Sequence, residues 1–331
     1  MKRILLITGQ GGDAQGWGGL KVTQTVREAL TGDGSRAEIA FVETRDQFLH
    51  RIEQRDFDLA WSALYFISDR ADVVGSSGEE TMWIADELDA RGIPYIGPSS
   101  ATMKNLIHKH DTHRIMARAG VRVPENHLVP PGAVPPKMAF PAFVKPESES
   151  RSVGISDRSV VHTRAELEAQ VAYVHQTLDQ PALVERYLPG DEYTVLMLGN
   201  GRHQEILPGI VRVDPVHYSQ YRILRSDLRG VGLTHVFIPE SADRSEEARD
   251  LVRRATDALE CWDHVRVDLR VDAEGRLRII EVNGIPGLKP VKSWSPQIYS
   301  LYHPDPGGAP QEYRNMLQLI LRSAWERNGL G

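Results

Sequence analysis

The chain has 331 residues, 41% hydrophobic and 25% charged, which is length enough for two or three folded domains. A net charge of −6 argues against a dedicated nucleic-acid binder, and a single cysteine, Cys261, excludes an intrachain disulfide or a cysteine-rich metal site. No apolar run approaches the roughly 18 residues of a membrane helix, and the run in "MKRILLIT" is too short for a signal peptide, so a soluble cytoplasmic protein is expected.

From the N-terminus, "RILLIT" predicts a buried strand, "LKVTQTVREAL" a helix, "AEIAFVE" a strand, "RDQFLHRIEQ" a helix and "FDLAWSAL" a strand. "GEETMWIADELDARG" predicts a helix closed by Gly92, and "IPYIG" a short strand. This alternation implies a parallel sheet covered on both faces, an α/β domain over residues 1–98. Next, Ser99 or Ser100 can cap a helix that Gly120 can end, and Pro-rich "VPPGAVPPKMAFP" keeps the chain extended. Strand "AFVKP", a serine-rich loop, strand "RSVVH", helix "RAELEAQVAYVHQTL" and strand "PALVERYL" suggest a small α+β unit, residues 99–188. Residues 189–331 open on a hairpin that turns at Gly199-Asn200-Gly201. A long segment without periodicity, 214–232, follows, then strand "LTHVFIP", a helix near Ser245–Leu259, the hairpin "HVRVDLRVDAEGRLRIIEVNG" and a closing helix, "EYRNMLQLILRSAWERNG".

The second hairpin carries the strongest chemical signal. Glu281 and Asn283 are two apart and share a strand face, and Asp268 on the partner strand could face the same side. Two carboxylates and an amide in an otherwise apolar "RIIEVNGIPG" suit magnesium, which binds a few carboxylates plus substrate phosphates. In "ALVERYLPGDEYTV", Glu185, Tyr187 and Leu188 end a strand at a Pro-Gly turn whose backbone could read an adenine, with Glu192 following on the next strand. In "VKPESESRSVGIS" a lysine leaves a buried strand into a polar loop, which is either a solvated hairpin or a lid over phosphate.

Taken in order, Lys-Pro, polar loop, Val-Gly, Glu-Arg-Tyr-Leu, Arg-Val-Asp and Glu-Val-Asn resemble the ATP-grasp superfamily, most closely D-alanine–D-alanine ligases. The resemblance implies α/β and α+β folding in three domains: an N-terminal parallel-sheet domain, a small central ATP lid and a C-terminal antiparallel-sheet domain. It implies ATP with two magnesium ions (manganese the alternative), small amino-acid or peptide substrates, a homodimer, and no nucleic-acid or membrane partner. By position it implies Lys145 on the ATP phosphates, with Ser150, Arg151, Ser152, Val153 and Gly154 as the loop over them. It puts Glu185, Tyr187 and Leu188 at the adenine, Glu192 at the ribose and His113 at a second phosphate contact. Asp268, Glu281 and Asn283 become the metal site. Arg266 and the Gly287 amide support the tetrahedral intermediate, and Tyr218 and Tyr221 belong to the closing loop.

The resemblance fails on the substrate side. The family glutamate in the first loop is replaced by Gln15 or Gly16, a small loop residue by Arg151, and the Ser-Leu pair on the acceptor carboxylate by Lys292-Ser293. With Arg212, Arg222, Arg225 and Lys289, these cations favour an anionic substrate. The expectation is an ATP-dependent carboxylate–amine ligase of specialised metabolism; the alternative is a D-alanine–D-alanine, or D-alanine–D-X, ligase. Other readings stay open: a non-catalytic ATP module, another ATP-grasp chemistry, or an NAD(P) oxidoreductase from "GQGGDA" and Glu43. The dinucleotide fingerprint is weakened by Gly16, Trp17, Gly18 and Gly19, which delay the following helix. A zinc site on His108, His110, Asp111 and His113 is disfavoured because His108 and His110 do not share a helix face.

Overall fold

The computed structural model describes residues 2–32, 34–68, 81–228 and 233–330. The chain begins with β1 (Lys2–Thr8), α1 (Gly12–Gln15), α2 (Leu20–Leu30), β2 (Ser35–Phe41), α3 (Arg45–Glu53), β3 (Leu59–Ser62), β4 (Phe66–Ile67), β5 (Met82–Trp83) and α4 (Ile84–Ala90). β1 pairs in parallel with β2 and β3. Ile4 and Leu6 enter one core and Leu5 and Ile7 another, as cover on both faces requires. Two expectations are corrected here. "IPYIG" is no full strand, since Tyr95 makes an isolated parallel bridge to Ala60. The helix predicted from Gly78 starts at Ile84, because Met82 and Trp83 pair with Ile67 and Phe66; residues 78–80 lie outside the described residues.

Next come α5 (Ser100–Ile107), α6 (Lys109–Arg118), β6 (Asn126–Val129), β7 (Ala142–Pro146), β8 (Val160–Val161), α7 (Arg164–Leu178) and β9 (Ala182–Arg186). The side chain of Ser99 caps α5 by accepting from the Thr102 N–H. The expected single helix breaks at His108, whose φ of −89° and ψ of 97° are extended. β6, which the Pro-rich composition conceals, joins an antiparallel sheet of order β6-β9-β7-β8, with α7 on one face.

The remainder is β10 (Glu192–Leu198), β11 (Glu205–Val213), β12 (Thr234–Phe237), α8 (Ala242–Ala258), β13 (His264–Val271), β14 (Leu277–Asn283), α9 (Trp294–Tyr302) and α10 (Gly308–Arg327). The strands form one antiparallel sheet, β12-β11-β10-β13-β14. Leu106 and Met116 of α5 and α6 share the core of this sheet with α8. On its other face Trp294 and Ile298 of α9 join Met316 and Ile320 of α10, which also pack with Val26 and Leu30 of α2. Among the described residues no helix is long and apolar enough to cross a membrane.

Candidate active site

β7 and β9 from the smaller sheet, and β13 and β14 from the larger, bracket a cavity of about 80 Å³. Phe143, Val153, Ile155, Leu188, Ile223 and Leu224 give it apolar walls. Its charges come in pairs. Lys145 Nζ lies 3.0 Å from Glu185 Oε2, Lys109 Nζ 3.3 Å from Glu281 Oε1, and Arg270 Nη1 3.4 Å from Glu192 Oε2. Burial pushes the Glu185 carboxyl above its ordinary range, while Lys145 beside it pulls the other way.

A β-bulge aims one further acceptor into this site. Asp268 pairs with Glu281 across the hairpin, but Leu269 pairs with Ile279, which leaves Ile280 out of register. The freed Ile280 carbonyl accepts from Lys145 Nζ at 3.2 Å and contacts His113 Nε2 at 3.2 Å. Burial holds the His113 imidazole well below its ordinary pKa, so it is neutral.

Beyond the hairpin end lies a second, roomier cavity of about 270 Å³. Glu281 lines the first cavity and Asn283, two residues on along the same strand, lines the second. Arg266, Gly287 and Trp294 also face it. Arg266 makes a two-pronged ion pair with Asp268, through Nε to Oδ1 at 2.9 Å and Nη2 to Oδ2 at 2.8 Å, and stacks on the Trp294 ring. Asp268 also accepts from Thr194 Oγ1 at 2.8 Å and from Asn283 Nδ2 at 3.2 Å. Asp268, Glu281 and Asn283 are thus brought together, and their two carboxylates and one amide oxygen suit a hard cation. Among the described residues no three His, Cys, Asp or Glu side chains gather where they could hold a metal ion.

Of the predicted nucleotide residues, Lys145, Ser152, Val153, Glu185, Tyr187, Leu188 and Glu192 line the first cavity. Gly154 stands beside them at φ +74°, where a Cβ would meet Leu178 Cδ1 at 2.6 Å. Ser150 and Arg151 instead line the second cavity: Ser150 Oγ donates to the Ala14 carbonyl at 2.6 Å, and Arg151 Nη1 to that of Asp13 at 3.0 Å. His113 does not line this cavity: it lies behind the wall, its Nδ1 3.4 Å from Glu185, and Lys109, one helical turn earlier, is on the lining. Tyr218 and Tyr221 line neither cavity. Tyr218 packs on the core, and the Tyr221 hydroxyl lies 2.7 Å from His162 Nε2, edge-on to Tyr187. The loop reaches the nucleotide side through Ile223 and Leu224, which sequence reasoning missed. Gln15, Gly287, Lys292 and Ser293 all line the second cavity. Arg212 is paired with Asp191 and Arg225 with Asp227, away from it. Residues 229–232 of the predicted loop lie outside the described residues.

Two sheets closing on a pocket with paired lysines and carboxylates, and a second chamber at its end, define the ATP-grasp class. The family described as "D-ala D-ala ligase C-terminus" matches residues 122–300. The chain is 28% identical to D-alanine–D-alanine ligase of Actinobacillus succinogenes over 273 residues, which is 80% of this chain and 81% of that enzyme. It shares the fold of D-alanine–D-alanine ligase from Bacillus anthracis complexed with ATP, with a TM-score of 0.72, 19% identity and 99% of both chains covered. The VanG D-Ala:D-Ser ligase of Enterococcus faecalis has the same fold, with a TM-score of 0.71, 17% identity, and 98% of this chain and 99% of that one covered. The chain belongs to the D-alanine–D-alanine ligase family.

Proposed function

We propose that this protein is an ATP-dependent ligase joining the carboxylate of one amino acid to the amine of another, with D-alanine the first acid to test. The observation that carries the reading is the placement of two cavities side by side along β14. Lys109, Lys145 and Glu281 stand in the first, and Asn283, Arg266 and the Gly287 backbone in the second. A γ-phosphate held by the lysines would meet a carboxylate held beside Arg266. The relatives above are named D-alanine–D-alanine ligase, which supports that activity and lends the specialised-metabolism expectation no support.

In the proposed sequence a carboxylate oxygen attacks the γ-phosphorus, ADP leaves and an acyl phosphate forms. The amine nitrogen then attacks the carbonyl carbon, gives up a proton, and inorganic phosphate departs. Lys109 and Lys145 hold the phosphates, and Glu192 and the Tyr187–Leu188 turn the nucleoside. Magnesium bound by Asp268, Glu281 and Asn283 together with the nucleotide would neutralise the transferring phosphoryl charge. Arg266 and the Gly287 N–H stabilise the oxyanion as the amine adds. Ile223 and Leu224 cover the pocket and keep water from the acyl phosphate.

The test is ADP release measured with each amino acid alone and with both. Release that requires a pair and yields a dipeptide is expected; the same rate without any amino acid would overturn the reading.

A further inference from the structure

The second cavity holds a charge imbalance that two neutral amino acids do not match. Gln15 on its wall is 5% exposed. Its Oε1 accepts the backbone N–H groups of Tyr65 at 3.0 Å and Phe66 at 3.1 Å. Both partners are donors, so the oxygen is fixed there and the amide nitrogen is turned away from them. That Nε2 has no acceptor among the described residues, and Gln15 lines the cavity. Gln15 therefore contributes an uncharged N–H donor to the chamber wall.

Four cations line the same space, and two are already matched. Arg266 is held by Asp268, and Arg151 Nη1 lies 3.4 Å from Asp13 Oδ2. Lys289 and Lys292 are exposed on the lining and have no ion-pair partner among the described residues. Among the described residues Asp13 is the one carboxylate on the lining, and Arg151 is paired with it.

Two α-amino acids bring two carboxylates and two amino groups. One carboxylate reacts and one amine attacks, which leaves one carboxylate and one ammonium to be held. Two lysines and the Gln15 amide then face a single anionic group, and the ammonium meets no unpaired carboxylate. Complementary charge sets specificity, and a cation that meets no counter-charge on the substrate adds nothing to its binding. We infer that one of the two substrates carries a second carboxylate, as an acidic amino acid does, held by Gln15 Nε2 with Lys289 or Lys292. This rests on the ligase reading above and names its substrate class.

The experiment is a coupled ADP assay on the full chain, comparing D-alanine alone with D-alanine plus D-aspartate or D-glutamate, and with the L-forms. An acidic pair is expected to exceed the all-alanine reaction at least tenfold in kcat/KM. The ratio of acidic to neutral substrate should fall at least tenfold in Lys289→Ser/Lys292→Ser and in Gln15→Glu. An all-alanine reaction that matches or beats every acidic pair, with the ratio unmoved in the variants, overturns the inference and leaves ligation standing. A binding readout separates the two claims: the thermal shift given by aspartate against alanine, with Mg·ADP present. Aspartate-selective shifts without turnover keep the chamber's preference and remove the ligase reading; no shift and no turnover remove both.

Discussion

The two cavities sit end to end on one hairpin and are built on opposite principles. In the first cavity three cations face acids, Lys145 with Glu185, Lys109 with Glu281 and Arg270 with Glu192, all carried by strands or a helix end. In the second cavity Lys289 and Lys292 sit on a loop beside Val291, whose φ is +63°, and neither has an ion-pair partner among the described residues. Strands hold a side chain to a fixed register, and loops let it vary. The paired charges of the first cavity are thus set by the frame, and the two lysines of the second by a connecting segment.

The largest effects belong to the strand-built pocket. Glu281→Ala should lower kcat by about 10³-fold or more, because it removes a carboxylate from the metal set and the partner of Lys109. Circular dichroism should show the fold retained, and near-normal turnover would sink the metal assignment.

Lys145→Ala leaves Glu185, 3% exposed, without its cation. Denaturant unfolding should show a loss of about 3–5 kcal/mol, with ATP affinity also falling. Lys145→Met/Glu185→Gln should recover much of the stability and none of the activity. Unchanged unfolding in the single variant would show the pair to be inconsequential.

Lys109→Ala should raise the KM for ATP by about 10–100-fold, on the scale of one charge-assisted contact. His113→Gln, behind the wall, should leave that KM within about twofold. The reverse pattern would restore His113 to the phosphates.

The smallest effect concerns the wall behind Lys109. Glu147 Oε1 accepts the His110 N–H at 3.0 Å and so caps the broken end of α6, with Lys109, His110 and Lys145 facing it. Burial raises its carboxyl from 4.5 to about 7. Between those values the folded chain keeps a proton that the unfolded chain loses, so stability falls as pH rises through the window, by roughly 3 kcal/mol at most. In Glu147→Gln that component should vanish when unfolding is compared at pH 5 and pH 8. An unchanged pH slope would remove Glu147 as its source.

The same division explains what the sequence could tell. The hairpin was legible because β13 alternates with period two and β14 does so on either side of its bulge, which sets Asp268 opposite Glu281. The helix break at His108 was not legible, since Ser100–Arg118 has continuous helical spacing, and the break sets Lys109 rather than His113 on the cavity lining. α9 escaped notice although Ser293 stands at its N-cap and Pro296 in its first turn. The fate of Gln15 depends on the Tyr65 and Phe66 amides, fifty residues away, which no local pattern encodes. Tyr218 and Tyr221 were placed by loop membership alone, which does not say which residues of a loop face inward.

Activation of a carboxylate by phosphoryl transfer across the junction of the two cavities is the central claim. Its most direct measurement supplies the protein with ATP, magnesium, one amino acid and hydroxylamine, with no second amine substrate. An acyl hydroxamate formed in step with ADP is expected, and lost in Glu281→Ala. ADP and phosphate released without hydroxamate, for every acid tried, would contradict it.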